Sequence, residues 1–279
     1  TDWQLIDGYL VGPGADLTDA ELTGANLTGA NLTGANLSGA TLTDVRSGGI
    51  TFDGTPPPLP TDWQLIDGYL VGPGADLTGA DLTSADLTGA TLTDVRSGGI
   101  TYSCTKFCND ITTLPTDWKL VNGYLVGPGA DLRGADLSKV DYWDIFFTLT
   151  GANLTGANLT DAYLGGADLT GATLTGATVG GVDLVWIKDS ILTNVKSGGL
   201  TGVPYAIPTD WQLIDGYLIG PTADLTGADL NGADLTGADL TNAILTNVKS
   251  GGITFDGTPP PLPTDWQLID GYLVGPGAD

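Results

Sequence analysis

The 279-residue chain has no histidine, no methionine, nine basic residues and a single glutamate, Glu21, among 33 acidic side chains. Without histidine it lacks the side chain used most often as a general base near neutral pH, which argues against most enzyme classes and points to no cofactor. A formal charge of −24 repels nucleic acid and anionic membrane surfaces and draws in counter-ions. No apolar run approaches the roughly 18 to 20 residues of a membrane-spanning helix, and no basic, apolar signal peptide opens the sequence. Yet only 15% of residues are charged and 41% are apolar, which is not the composition of a disordered chain. Something folds, and its polarity comes from Thr, Asn, Asp and Gly.

What is abundant is glycine, 43 residues, and a short repeat. The triplet Ala-Asp/Asn-Leu occurs sixteen times, mostly at five-residue spacing, with a core ladder of Leu17, Leu22, Leu27, Leu32, Leu37 and Leu42 in one run and Leu225, Leu230, Leu235 and Leu240 in another. A period of five fits neither an α-helix nor a long strand, so each pentad is expected to be a short extended piece followed by a turn, with Gly, Asn and Asp supplying the turns. The pattern A(D/N)LXX resembles the pentapeptide-repeat family. The resemblance implies an all-β fold, a right-handed quadrilateral parallel β-helix of four pentads per coil, with Leu and the Ala two residues before it pointing inward. Coils stacked about 4.8 Å apart would satisfy each other's backbone groups and leave no room for the several hundred Å³ of a ligand pocket. If the whole chain were coiled, about 14 coils would make a rod roughly 65 Å long.

A longer repeat lies over the first. TDWQLIDGYLVGPGADL starts at Thr1 and Thr61, returns with changes at Thr116 and Thr209, and begins again at Thr264. The expected units are therefore 1–60, 61–115 with a cysteine loop, a long irregular unit 116–208, 209–263, and the start of another at 264–279. The identity of Thr1–Asp16 with Thr264–Asp279 suggests a segment of a larger or processed protein. From each Trp to the next Ser-Gly-Gly the spacing is 44, 34, 79 and 39, so the units differ by whole pentads. Leu5 and Leu10 keep the five-residue phase, which favours a continuous coil with Pro13-Gly14 as a two-residue insertion. Asp7-Gly8, Asp67-Gly68 and Asn122-Gly123 are strong turn dipeptides and leave a hairpin open. Pro- and Gly-rich connectors follow each Ser-Gly-Gly, and their prolines, unable to donate ladder hydrogen bonds, suggest surface crossings or stiff joints.

Cys104 and Cys108 bracket a five-residue loop in the longest connector and fall short of a zinc set, so a small disulfide staple is favoured over free thiols; oxidised, it would indicate an extracellular compartment. The aspartates are ordinary solvent-facing residues of the repeat, with divalent cations a candidate counter-ion. Stacking at twenty residues puts Arg96 over Asp76 and Lys249 over Asp229 as relief of acidic columns. Asn26, Asn31, Asn36, Asn153 and Asn158 match the glycosylation acceptor pattern, but the repeat code generates that match by itself. Tyr142, Trp143, Phe146, Phe147 and Trp186 interrupt the ladder and either fill a widened coil or form an exposed interaction patch.

The expected function is that of a non-enzymatic structural protein, a building block of an extracellular bacterial fibre, surface layer or matrix that self-associates into a homopolymer or array without nucleic acid or membrane insertion. The alternatives are an acidic DNA-mimic regulator of DNA gyrase, a role the family resemblance implies, and an ice-binding or adhesive solenoid.

Overall fold

The computed structural model describes residues 2–101, 113–138, 148–162, 164, 167–179, 192, 194–201, 207 and 209–279. They are all-β, and no helix among them is long and apolar enough to cross a membrane. The chain divides into two compact units, Thr1–Asp131 and Leu132–Asp279.

Each pentad is a corner. In Leu17–Ala20 the N–H of Ala20 donates to the Leu17 carbonyl at 3.1 Å, and Asp19 between them has φ +56°. A four-residue turn with positive φ only at its third position is the type II pattern, which favours Gly or Asn there. Gly24, Gly29, Gly34 and Gly39 occupy that position in the next four corners, with φ of 66–73°. Between corners the chain is extended and bonds to the next coil: Leu17 N–H donates to Asn36 O at 2.7 Å, and Asn36 N–H to Ala15 O at 2.9 Å. Parallel bridges such as Asp16–Asn36, Glu21–Thr41 and Asn26–Arg46 join residues twenty apart, so a coil takes four pentads. This is a β-solenoid.

The core follows from the geometry. Leu17, Leu22, Leu27, Leu32, Leu37 and Leu42 are buried with the alanines two residues before them, as are Leu225, Leu230, Leu235 and Leu240 in the second unit. Each fully buried Leu contributes about 1.5–3 kcal/mol relative to an exposed one, while Ala at the other inward position leaves the shaft narrow.

The Trp-to-Tyr segments are hairpins, not coils. Strands β1 (Gln4–Ile6) and β2 (Tyr9–Val11) pair antiparallel, Leu5 opposite Leu10. The same pairing joins β3 (Gln64–Ile66) to β4 (Tyr69–Val71), β5 (Lys119–Val121) to β6 (Tyr124–Val126), and β7 (Gln212–Ile214) to β8 (Tyr217–Ile219). It recurs between β11 (Gln267–Ile269) and β12 (Tyr272–Val274), while β9 (Asp229–Asn231) and β10 (Lys249–Gly251) form a parallel pair of successive coils. Local turn chemistry outweighs the five-residue phase because Asp7 and Gly8 both take positive φ, +48° and +89°, as a type I′ hairpin demands.

Pro13-Gly14 is likewise a regular corner rather than an insertion: Ala15 N–H donates to Gly12 O at 3.0 Å, with Gly14 at φ +72°. Gly12 therefore stands at the pentad position that Leu17 holds one corner later. A Cβ there would run into the Trp3 indole, and the same is true of Gly72 with Trp63, Gly127 with Trp118, Gly220 with Trp211 and Gly275 with Trp266. The tryptophan supplies the side chain that the glycine lacks.

The two triple-proline connectors, residues 51–60 and 254–263, also depart from expectation. They form a side of the coil instead of crossing its surface: Leu37 N–H donates to Pro58 O at 2.8 Å and Leu240 N–H to Pro261 O at 2.9 Å, and the middle prolines Pro57 and Pro260 are buried. Pro58 and Pro261 have no N–H, so this side makes half of the usual exchange.

Pentad number sets where the next hairpin leaves the coil. Asp76, the equivalent of Asp16, stacks on the Asn26–Arg46 column, two pentads round from the Asp16–Asn36 column. Asp131 stacks on the Asp76–Arg96 column itself. In the second unit Asp279 N–H donates to Val248 O, beside the Asp229–Lys249 column and one pentad round from Asp224–Ile244. The Trp-to-Ser spacings of 44, 34 and 39 account for these steps, because four pentads close a coil and only the remainder counts.

Candidate functional site

The residues that carry the longer repeat meet at one joint. Ser47 lies five residues after Leu42, in the core slot of its pentad, and is buried. Its hydroxyl accepts the Leu70 N–H at 2.8 Å. The usual corner bond does not close; Ile50 N–H instead donates to Gly68 O at 3.1 Å. A Cβ on Gly48 would stand 2.9 Å from the Tyr69 ring, so glycine is required for the tyrosine to lie there. Ser-Gly-Gly-Ile is thus an opened corner that seats the turn of the following hairpin at three points.

The seat recurs. Ser97 accepts from Leu125 N–H, Ser197 from Leu218 N–H and Ser250 from Leu273 N–H, each at 2.9 Å. Ile100, Leu200 and Ile253 donate to the carbonyls of Gly123, Gly216 and Gly271 at 3.0–3.1 Å. The seated leucines Leu70, Leu125, Leu218 and Leu273 are buried. On its other side a hairpin holds its own coil: the hydroxyls of Tyr9, Tyr69 and Tyr217 accept the N–H of Glu21, Asp81 and Asp229 at 3.0–3.1 Å.

A cation precedes each seating serine. The Arg46 guanidinium is 3.0 Å from the buried carboxylate of Asp76, and Arg96 reaches Asp131 at 3.4 Å and Asp44 at 3.2 Å. Arg96 does stack beside Asp76, and Lys249 beside Asp229, but the ion pairs that Arg46 and Arg96 make run across the joint to residues 30 and 35 positions away as well as to Asp44. Burial pushes the Asp76 carboxyl upward; the Thr78 hydroxyl and N–H together with Arg46 outweigh it and hold it below its ordinary value.

Elsewhere the acidic columns are tied to their own backbone. Asp16, Asn26, Asn31, Asn36, Asp81, Asn153, Asn158 and Asp234 each accept the N–H of the residue two positions on, at 3.0–3.2 Å. Such Asx turns fix the entry to each corner. The Thr18, Thr83 and Thr236 side chains and N–H groups lower the carboxyls of Asp16, Asp81 and Asp234. Asp86, bonded by the Thr113 hydroxyl and by Thr88, is lowered to about 2. Columns mix residue types, as in Asn153, Thr173, Lys196, Asp224 and Ile244, which does not make a flat threonine face.

Among the described residues no group of three or more acidic or cysteine side chains is placed to hold a metal ion, and no buried side-chain nitrogen or oxygen lacks a partner. Cys104, Cys108, Tyr142, Trp143, Phe146, Phe147 and Trp186 lie outside the described residues. Sequence reasoning missed the seat itself, whose trace in the sequence is Val-Arg/Lys-Ser-Gly-Gly, a small polar residue in phase with the leucines.

A family model of pentapeptide repeats matches eight copies, over residues 14–46, 73–96, 149–185 and 223–249. No curated protein matches the chain. Among solved structures the chain is similar to HetL, a pentapeptide repeat protein involved in heterocyst differentiation regulation from the cyanobacterium Nostoc sp. strain PCC 7120, at 26% identity over 88% of this chain and 92% of that one, with a TM-score of 0.19. It is also similar to QnrB1, a plasmid-mediated fluoroquinolone resistance protein, at 16% identity over 89% of this chain and 90% of that one, with a TM-score of 0.12. The eight matched repeats and the stacked pentads show that the chain carries pentapeptide repeats.

Proposed function

We propose that the protein is a non-enzymatic structural element, a building block of an extracellular bacterial fibre, surface layer or matrix, wound as a right-handed quadrilateral solenoid. The observation that carries this reading is the continuity of the ladder through the joints. In the first unit Asn26, Arg46, Asp76, Arg96 and Asp131 form one column that passes two hairpins without losing register. A scaffold whose joints preserve the stack can be lengthened unit by unit, which suits an extended material better than a receptor for one ligand. Two alternating arginines also interrupt the acidic surface, which fits a DNA mimic poorly. Assembly outside the cell agrees with a Cys104–Cys108 staple, to be sought by mass spectrometry of the intact protein under non-reducing conditions.

Electron microscopy of the 279-residue protein tests the reading. Long ordered filaments with an axial repeat near 4.8 Å are expected. Isolated short particles at every concentration would overturn it.

A further inference from the structure

The corner just before each seat has a polar residue at positive φ where Gly24 and Gly29 stand in ordinary corners: Asp44, Asp94, Asn194 and Asn247. Two residues on comes the cation of the joint, Arg46, Arg96, Lys196 or Lys249. Aspartate accompanies arginine in the first unit, and asparagine accompanies lysine in the second. The backbones of these corners do the same work, since Asp44 N–H donates to Gly74 O at 2.7 Å and Asn194 N–H to Thr222 O at 2.9 Å. The difference therefore lies in what the side chains can reach.

In the first unit successive joints share a column: Arg46 and Arg96 stand in line, with Asp76 between them and Asp131 after. Asp44 sits in the corner that leads into this column. Between it and Arg96 lies the corner of Gly74, which accepts the Asp44 N–H, donates to Thr93 O at 2.8 Å and has no side chain to bar the way. The Arg96 guanidinium uses two of its edges, Nη2 at 3.2 Å from the Asp44 carboxylate and Nε at 3.4 Å from that of Asp131. A rigid fork of donors can hold two carboxylates at once, which a single ammonium does less well. In the second unit the joints do not line up. Lys196 stands in the column of Asp224 and Ile244, whereas Lys249 stands beside Asp229, one pentad round. A carboxylate at position 194 would thus lie a side of the coil away from the cation of the next joint.

We propose that Arg96 is an alignment clamp, a cation that spans two consecutive joints and can do so only because both fall in one column. The inference goes beyond the structural reading and is independent of what the solenoid builds, for it concerns which neighbouring joints are locked in line. The two ends of the clamp differ. The Asp44 side chain is 46% exposed and that of Asp131 10%, so the Asp44 end is the one that salt loosens.

Native-state hydrogen exchange in a double-mutant cycle tests the clamp. The Asp76 N–H, which donates to Val45 O at 3.0 Å, belongs to the coil that the clamp encloses. Asp44→Asn and Arg96→Gln should each speed its exchange, and the pair should do so less than additively, with a coupling of about two- to fivefold that fades in about 1 M salt. Additive effects, or a coupling indifferent to salt, would overturn the clamp. Should Arg96→Gln unfold, Arg96→Lys takes its place with the same coupling expected; each substitution then occurs naturally at an equivalent joint, as Asn194 and Lys196. The same pair is next written into the second unit as Asn194→Asp and Lys249→Arg, read at the Asp224 N–H that donates to Val195 O at 2.9 Å. No coupling is expected, because the two positions lie in different columns. A coupling there as large as that between Asp44 and Arg96 would show that alignment is not what the arginine requires.

Discussion

At the residue scale, polar side chains here serve the backbone. Ser47 occupies a slot that the Ala-Asp/Asn-Leu pentads give to Leu, and it is tolerated because its hydroxyl accepts the Leu70 N–H. Ser47→Ala leaves that buried donor without a partner, at a cost of about 1–3 kcal/mol. Hydrogen exchange should therefore show the Leu70 amide losing protection by that amount while amides of the Leu22–Leu37 ladder keep theirs; equal loss everywhere, or none, would contradict the seat. The aspartates give a second prediction. A carboxyl lowered by folding contributes stability that is present above its unfolded value near 3.9 and is lost as pH falls through its folded value. For Asp86 that folded value is about 2, so the loss is confined to the acid range. Thermal unfolding should be nearly flat with pH down to about 4 and fall below it, and Asp86→Asn should narrow its difference from wild type as pH drops toward about 2. Parallel curves for the two proteins would sink the assignment.

At the element scale, each hairpin is held by residues that are silent alone and meaningful in pairs. Gly72 has an ordinary φ, and only the Trp63 indole beside it forbids a larger residue. Gly72→Ala should force the ring out of the core slot at a cost on the order of 1–3 kcal/mol. The same change at Gly79, where φ is +72° but no atom lies within 4 Å of a new Cβ, adds only backbone strain, on the order of 1 kcal/mol. Denaturant unfolding of the two variants compares steric and conformational cost directly, and equal effects would show that the indole does not fill the slot. These pairings explain what the sequence disclosed. The five-residue ladder was legible because Leu27 and Leu32 repeat one local environment with one local cause. The hairpins were legible only as an alternative, since Leu5 and Leu10 fall in phase with the coils by coincidence of spacing. The seat was not legible: Ser47 and Leu70 are 23 residues apart, and a serine among glycines looks like loop. Arg46 and Asp76 escaped for the same reason, because the hairpin and connector between them change a twenty-residue stacking interval into thirty.

At the scale of the whole molecule, the pentad is the unit in which length can change without disturbing the stack. Four pentads close a coil, so the remainder after whole coils decides the side from which the next hairpin departs. The first unit leaves a remainder of two: Asp76 joins the Asn26–Arg46 column rather than the Asp16–Asn36 column. Deleting Thr28–Leu32 removes one pentad and joins Leu27 to Thr33 with the corner pattern intact. Every later residue keeps its inward or outward direction, Ser47 stays in a core slot, and the seat for Gly68 and Leu70 is preserved. The hairpin β3–β4 should then leave one pentad round from β1–β2 instead of two, as the last hairpin does relative to β7–β8. Spin labels at the exposed turn residues Asp7 and Asp67 would measure this as a shorter separation in the deletion than in the full chain. Deleting only Thr28–Ala30 puts polar residues into the inward slots of the rest of the unit, a change that costs on the order of several kcal/mol and should abolish its folded circular dichroism spectrum. An unchanged label separation in the pentad deletion would mean that the hairpin finds its place independently of coil count. The column geometry from Asn26 to Asp131 forbids that outcome, because the seating serine is itself one residue of the ladder.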